Sequence, residues 1–301
     1  MTLHDYFTVL KTSCIEFVND NVLKLSASLA YYTVFSMPSV LILIVSLGSL
    51  FYGHDAIEGQ IVNEINNFVG SQTAQQIQDI LKNTTLSQNN ILATLVGGVI
   101  LLISATGMFT EIQDSLNSIW GLKTKSGKAL TLLLLNRLVS FSMLLVLGFV
   151  LLVSLLLNAL LSVLVNNLHH YFFSAVQSVL VIDHVLMLLV TTLLFGFIFK
   201  ALPDGKIVWK DVWLGAFFTA VLFMLGKFLI GFYLSHTSVI STYGAAGSLI
   251  VILLWVYYSS IILYFGAEFT QAYVLFKRKK IEPNKYATWV GKKSNKPENK
   301  A

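Results

Sequence analysis

The chain has 301 residues, of which 55% are hydrophobic and 12% are charged, and its mean hydropathy is +0.74. A soluble domain carries about 25% charged residues, so a globular protein of this size could not cover its apolar surface with so few of them. The composition excludes a soluble enzyme, a soluble nucleic-acid-binding protein and a disordered chain, and it predicts an integral membrane protein. A single cysteine, Cys14, excludes an intramolecular disulfide and a thiolate-rich metal site.

Long segments with few or no charges predict membrane-spanning helices. A helix needs about 20 apolar residues to cross about 30 Å of hydrocarbon, whereas the strands of a membrane barrel alternate over about 10 residues. Six segments reach the helical length, at about 26–52, 90–110, 138–165, 176–201, 212–234 and 247–276. We number them spans 1 to 6. They predict an all-α, polytopic membrane domain over 1–276 with six transmembrane helices, followed by a basic cytoplasmic tail, 277–301.

The positions of the cations predict the orientation of these spans. With the N-terminus inside, 18 of the 20 Lys and Arg residues fall in cytoplasmic segments, and only Lys82 and Lys227 do not. Cytoplasmic loops carry such an excess of Lys and Arg, so we expect both termini to be cytoplasmic. The longest outer connection, roughly 53–90, repeats apolar residues at helical spacing and predicts an amphipathic helical segment on the outer face. It is either a short cap packed on the spans or a binding domain.

Short motifs occur in a fixed order between about Asp20 and Tyr273. They are Leu29-Ala30-Tyr31-Tyr32 followed by Pro38, Asn117 with Trp120, Leu202-Pro203-Asp204, Trp209-Lys210-Asp211, Gly215-Ala216, Tyr243-Gly244, Leu254-Trp255 and Gly266-Ala267-Glu268. This series resembles the YihY/BrkB family of bacterial inner-membrane proteins. The resemblance implies a six-helix fold in the inner membrane and an unsettled activity. Members have carried a ribonuclease label and a virulence label, and transport is commonly supposed for them.

The residues themselves do not favour the ribonuclease label. Metal-dependent phosphodiester cleavage needs clustered carboxylate or histidine ligands, whereas the cytoplasmic acids of this chain stand singly at helix ends. The sequence also has no glycine-rich phosphate loop and no nucleophile elbow. We therefore expect no enzyme, no metal or other cofactor and no nucleic-acid partner. The expected partner is the bilayer, and a homo-oligomer is possible. Anionic lipid would bind the cytoplasmic residues Lys277, Arg278, Lys279 and Lys280.

Lys227 and Glu268 are the two charges within the last two spans. Lys227 lies about 22 Å into span 5 and Glu268 about 31 Å into span 6, which runs the other way, so their depths differ too much for a direct pair. A lysine inside the hydrocarbon costs at least about 2.5–3.5 kcal/mol. Trp255 and Tyr258 lie at its level and predict a cation–π contact, and snorkelling of Lys227 toward the outer headgroups is the alternative.

Two further groups of residues are functional candidates. Pro38, in the middle of span 1, predicts either a discontinuous helix with a binding site or a plain structural kink. Charges at the cytoplasmic interface predict ion pairs that fix the helix ends or, alternatively, a proton relay. These charges are Glu111, Asp114, Arg137, Lys210 and Asp211.

The sequence thus favours a transport-type protein that moves a small solute, ion or lipid through the bundle. Its candidate pathway comprises Lys227, Glu268, Pro38, Tyr31, Trp255 and Tyr258. The alternative is a non-transporting envelope scaffold or assembly factor that acts through the outer segment 53–90.

Overall fold

The structure is a computed structural model. It describes residues 3–48, 91–124, 175–236, 246–277, 281–284 and 287–290, together with a few positions between 58 and 79. The helices in these ranges are α1 (Leu3–Asn19), α2 (Val22–Gly48), α3 (Ile91–Ile119), α4 (Ala175–Ala201), α5 (Trp209–His236) and α6 (Gly247–Phe276). The short strands are β1 (Leu122–Thr124), β2 (Gly205–Lys206), β3 (Glu282–Pro283) and β4 (Ala287–Trp289).

Spans 1, 2, 4, 5 and 6 overlap α2, α3, α4, α5 and α6 respectively. Three of them contain segments long and apolar enough to cross a membrane: Val22–Val45 of α2, Trp209–Tyr233 of α5 and Leu249–Phe276 of α6. A shorter apolar stretch, Val185–Ala201, belongs to α4. The mostly helical membrane fold is therefore confirmed, whereas six spans remain a prediction. Span 3, at 138–165, lies outside the described residues.

The structure decides between the alternatives for span 1 and corrects the end of span 2. α2 continues as one helix through Pro38, so it is not discontinuous there, and the structural kink is the alternative that remains. α3 continues nine residues beyond the predicted end of span 2, to Ile119. The hydropathy pattern missed this extension because the extension contains Glu111, Asp114 and other polar residues. Such residues form a helix but are not typical of a membrane-spanning segment.

α6 is the central helix of the described bundle. It packs extensively against α5, α2 and α1, while α3 packs on α2 and α4 packs on α5. One large apolar core contains side chains from each of the helices α2, α3, α4, α5 and α6. Its largest fully buried side chains are Trp120, Tyr264 and Phe199. α2 and α5 begin, and α3, α4 and α6 end, at the end of the bundle that carries the strands. We call it the strand end.

The described part of the C-terminal tail packs on the bundle. β4 pairs antiparallel with β1, with Leu122 opposite Trp289, and β3 pairs antiparallel with β2, with Gly205 opposite Pro283. Gly121, with φ of 67°, terminates α3 and turns the chain into β1, a conformation that glycine adopts without strain. The tail was expected only as a basic cytoplasmic segment, but its residues 281–284 and 287–290 supply two strands to the strand end.

The segment between α2 and α3 is described at a few positions, which are helical where described. Ile77 is buried with Ile42 and Val45 near the end of α2. The amide of Gln78 donates a hydrogen bond to Glu58 at 3.2 Å. At these positions the segment packs on the bundle, as a cap does.

Candidate functional site

α5 and α6 approach each other closely through reciprocal glycine–threonine contacts. A Cβ added at Gly215 would lie 1.9 Å from Oγ1 of Thr270, and a Cβ added at Gly266 would lie 1.9 Å from Oγ1 of Thr219. Each threonine hydroxyl donates a hydrogen bond of 2.7 Å to the glycine carbonyl of its own helix, four residues earlier. Small residues and internally satisfied hydroxyls allow helices to pack closely in lipid. This pair of contacts fixes the register of α5 on α6.

The same interface continues toward Lys227. A Cβ added at Gly226, the residue before Lys227, would lie 2.6 Å from the ring of Tyr258 and 2.6 Å from Ile262. The side chain of Lys227 is half-buried at this level. One turn earlier on α6, the buried ring of Trp255 stacks on Phe223 with centroids 6.2 Å apart. The structure thus brings Lys227, Tyr258 and Trp255 to one level of the bundle.

Glu268 lies at a different level. Because Thr219 lies against Gly266 and Gly226 lies against Tyr258, Glu268 is about 15 Å along the helix axis from the level of Lys227. Its side chain is only 1% exposed, in the part of α6 near the strand end. The two ionisable groups therefore lie at separate levels of the bundle and are not a direct pair.

α2 carries a polar face toward the interior. Four of its hydroxyl-bearing side chains are buried: Ser26, Thr33, Ser36 and Ser39. Gly107 of α3 lies against the Ser36 hydroxyl, 3.3 Å from an added Cβ. Pro38 is half-buried beside this face. Tyr31 lies elsewhere, since it is 59% exposed and its ring contacts Phe35 at 4.7 Å on the outer surface of α2.

The strand end contains a hydrogen-bonded junction centred on Asp204, in the loop between α4 and α5. Its carboxylate accepts hydrogen bonds from the amides of Asn117 at 3.0 Å and Gln113 at 3.2 Å, both on α3. Its backbone N–H donates to the side-chain oxygen of Asn117 at 2.8 Å. Its carbonyl accepts a hydrogen bond of 2.8 Å from the backbone of Asn284. One residue thus joins α3, the α4–α5 loop and the C-terminal tail.

Sequence reasoning found the parts of this junction without connecting them. Asn117 and Asp204 belong to two of the short motifs, but they are 87 residues apart in sequence. Trp120 adds a further link, because its indole N–H donates to the carbonyl of Ala267 on α6 at 3.3 Å. No periodicity or spacing in a single sequence indicates which amide meets which carboxylate.

The candidate interface charges have different environments. Asp211 is 1% exposed and forms an ion pair with Lys277 at 3.6 Å, whereas Lys210 is exposed. Lys277 also lies over the ring of Tyr273, 4.2 Å from its centroid. The side-chain hydrogen bond with Tyr273 raises the pKa of Lys277, and Asp211 raises it further. Binding of Lys277 to anionic lipid stays a prediction, and in the structure its ion pair with Asp211 joins the end of α6 to α5.

Glu111 and Asp114 lie one turn apart on the extension of α3. Asp114 is exposed, but desolvation of its carboxyl by the surrounding chain raises its pKa, and the carboxylates of Glu111 and Asp204 raise it further. Arg137, Arg278, Lys279 and Lys280 lie outside the described residues. Within the described ranges, no three His, Cys, Asp or Glu side chains group closely enough to hold a metal ion.

Comparisons with known proteins identify the family. The family model described as virulence factor BrkB matches residues 14–288. A UPF0761 membrane protein of Saccharophagus degradans is 29% identical over 85% of this chain and 57% of its own length, and another from Psychrobacter sp. is 26% identical over 93% and 51%. A third, from Pseudoalteromonas atlantica, is 26% identical over 88% of this chain and 85% of its own.

The chain thus spans little more than half the length of the first two relatives. No solved structure matches it at a significant level. The family match covers nearly the whole bundle, from α1 to the last strand, and confirms the resemblance of the short motifs. The chain is therefore a membrane protein that belongs to the virulence factor BrkB family.

Proposed function

We propose that this protein transports a small solute, an ion or a lipid headgroup along a path between α2, α5 and α6 in the bacterial inner membrane. The observation that carries the proposal is the set of polar and ionisable side chains inside an otherwise apolar bundle. The outer surfaces of α2 and α5 are apolar, with Phe35, Phe217 and Phe228 at least half exposed. The inner surfaces bear the buried hydroxyls of α2, the half-buried Lys227 and the buried Glu268.

Energetics supports this proposal over a purely structural role for the polar groups. Ionisable side chains in membrane spans are costly, about 2.5–3.5 kcal/mol on insertion scales, and generally line a substrate or proton path. Lys227 and Glu268 lie about 15 Å apart along the axis, which suits successive stations for a charged or zwitterionic group. The fully buried Glu268 would be the station nearer the strand end, and Lys227 the one nearer the middle.

The orientation in this proposal follows from the cations at the strand end. Lys123, Lys200, Lys206, Lys210 and Lys277 all belong to the elements that meet there. Positive residues favour the cytoplasmic side, so we propose that the strand end is cytoplasmic and that both termini lie on that side. α3 and α4 both end at the strand end. Two helices have this arrangement when one more span, here the predicted span 3, crosses the membrane between them.

The test is flux through the purified protein in vesicles. Proteoliposomes with an enclosed pH-sensitive dye report proton flux, and a fluorescent phosphatidylethanolamine analogue with an external quencher reports lipid transfer. We expect Lys227→Leu and Glu268→Gln each to lower whichever of the two rates the wild-type protein shows by at least about tenfold. Each variant removes a charge that binds the transported group, and a loss of about 1.4 kcal/mol of binding free energy corresponds to a factor of ten.

Neighbouring substitutions provide the controls. Phe228 is 73% exposed directly after Lys227, so Phe228→Leu should leave the flux unchanged, and Glu282→Gln on exposed β3 should do the same. Flux that persists in both Lys227→Leu and Glu268→Gln contradicts the proposed path. That result would favour the scaffold alternative, in which the segment 53–90 acts on an envelope partner.

A further inference from the structure

α1 has three distinct faces rather than the two of an ordinary amphipathic helix. Val9, Ser13 and Phe17 form one face, packed against the bundle. A polar face carries Asp5, Thr8, Thr12, Glu16 and Asn19. The third face is apolar and exposed, and it is formed by Phe7, Leu10, Cys14 and Val18. The intervals within each face are three or four residues, the spacing of one side of an α-helix.

The exposed apolar face is too large to be incidental. Phe7 is 67% exposed and Val18 is 72% exposed, and Ile15 at the edge of the face is 51% exposed. Large exposed apolar patches mark surfaces that contact lipid or another protein. Lys11 lies on the same side, and its aliphatic stem is long enough to carry the ammonium group out to lipid headgroups.

The packed face places α1 beside the last turns of α6. Val9 packs with Phe269, Ala272 and Tyr273, and the ring of Phe17 meets Phe265 edge-on at 5.8 Å. The apolar segment of α6, Leu249–Phe276, has 28 residues and is therefore about 42 Å long. Because the hydrocarbon core is only about 30 Å thick, α6 is long enough for its last turns, after Glu268, to extend into the headgroup region beside α1.

Aromatic side chains mark the same level of the bundle. Trp209 and Trp213, in the first turns of α5, are both exposed, with ring centroids 6.1 Å apart. Exposed tryptophans are enriched where a membrane protein meets the headgroups. The apolar surface of α1 also continues into α2, since Leu23 is 52% exposed just after the turn. It therefore joins the lipid-facing surface of the spans.

We propose that α1 is an interfacial membrane helix that inserts Phe7, Leu10, Cys14 and Val18 into the lipid leaflet at the strand end. Its polar face meets water, and its third face holds the helix against α6. A helix in this position contacts protein, lipid and water together, which accounts for three faces. This inference is independent of any transport activity, because it requires only that the strand end lies at a membrane surface.

Cys14 makes the proposal directly testable, because it is the only cysteine of the chain and it is exposed. The full-length protein would be spin-labelled at Cys14 and reconstituted in phosphatidylethanolamine–phosphatidylglycerol vesicles. Collision with apolar oxygen and with a water-soluble nickel chelate would then be measured. We expect oxygen to dominate, at a depth of about 5–10 Å below the phosphates, as for other interfacial helices.

Two matched variants in a Cys14→Ser background calibrate the result. Thr12→Cys places the label on the polar face, two residues away, and we expect the nickel chelate to dominate there. Phe228→Cys places it on the exposed surface of α5 and gives the value for a lipid-facing span. The ratio of oxygen to nickel collisions should be several-fold higher at Cys14 than at Thr12→Cys.

Two outcomes overturn the proposal. A nickel-dominated signal at Cys14, equal to that of Thr12→Cys, would mean that the apolar face lies in water. Low collision rates with both reagents would mean that protein covers the face, either a second copy of the chain or another segment of the same chain. Diluting labelled with unlabelled protein separates these last two cases through the loss of spin–spin broadening.

Discussion

Within the membrane-spanning part of the bundle, close packing of α5 against α6 fixes the position of α6. At the strand end, by contrast, hydrogen bonds join the elements of the bundle. At the α5–α6 contact, Gly215 and Gly266 each accommodate a threonine of the other helix, and each threonine hydroxyl bonds to a carbonyl of its own helix. At the junction, Asp204 accepts two side-chain hydrogen bonds and joins three segments of chain.

The difference reflects the two solvents of a membrane protein. In lipid the hydrophobic effect does not drive helices together, so close packing and small residues stabilise their association. Near the headgroups water competes for polar groups, and a carboxylate that is partly buried needs several donors to remain in place. α6 therefore has a glycine–threonine contact within the spans, whereas at the strand end it is followed by the ion pair of Lys277 with Asp211.

The largest effect that tests this contrast is expected at Gly266. Gly266→Ala would place a Cβ 2.8 Å from the Cβ of Thr219, so α5 and α6 must separate. We expect a loss of about 3 kcal/mol of unfolding free energy, at the upper end for overpacked cores. Unfolding of the purified protein in mixed detergent micelles measures it.

Two variants show whether shape is the cause. Nothing lies within 4 Å of a Cβ added at Gly231, on the same helix as Thr219, so Gly231→Ala should change the stability by less than about 0.5 kcal/mol. The double variant Gly266→Ala with Thr219→Gly should recover part of the lost stability, because removing the threonine side chain makes room for the added Cβ at position 266. Equal stabilities of Gly266→Ala and Gly231→Ala would contradict close packing.

A smaller effect is expected at the junction. Asp204→Ala leaves the amides of Asn117 and Gln113 without this acceptor, which costs about 1–3 kcal/mol. Asn117→Ala should cost a similar amount, and the double variant should lose clearly less than the sum, with a coupling energy of about 0.5–3 kcal/mol. Glu282→Ala, on exposed β3, is the control. Strictly additive losses would show that the two residues act separately.

The smallest expected effect is the pH dependence at Asp114. Because its pKa is raised in the folded protein, its ionised form is disfavoured there. Its contribution to stability is therefore fully present below the ordinary value of 3.8 and is lost as the pH rises through the raised pKa. The stability of the wild type relative to Asp114→Asn should fall across this window. Thermal unfolding of both proteins from acidic to neutral pH measures the difference, and a flat difference would contradict the raised pKa of Asp114.

Much of the membrane fold was predictable from hydropathy. Span 6 was predicted at 247–276 and α6 is Gly247–Phe276, because a long segment with a single charge must satisfy its backbone hydrogen bonds as a helix in lipid. α1 was not predicted, because it mixes charged and apolar residues. Its three faces become apparent only when α6 covers one of them. The short strands were also missed, since strands of two or three residues leave no pattern of their own.

The candidate site was predictable as a set of residues but not as an arrangement. Scarcity of charge singled out Lys227 and Glu268, and counting residues from the span ends placed them at different depths. Tyr31 was selected with them from a motif, and nothing in the sequence indicated that it lies on the outer surface of α2. Which side of a uniformly apolar helix faces inward depends on its neighbours, so single-sequence periodicity could not decide it.

The sequence by itself determined that the chain is a membrane protein, where most of its helices lie and which charges are exceptional. These properties depend on transfer of residues between water and lipid, which is local in sequence. Only the tertiary structure decided that Asp204 meets Asn117, that Thr219 fits against Gly266, and that Lys277 pairs with Asp211. Such contacts join residues that are 47 to 87 positions apart, and they depend on the packing of whole helices rather than on the preference of any one segment.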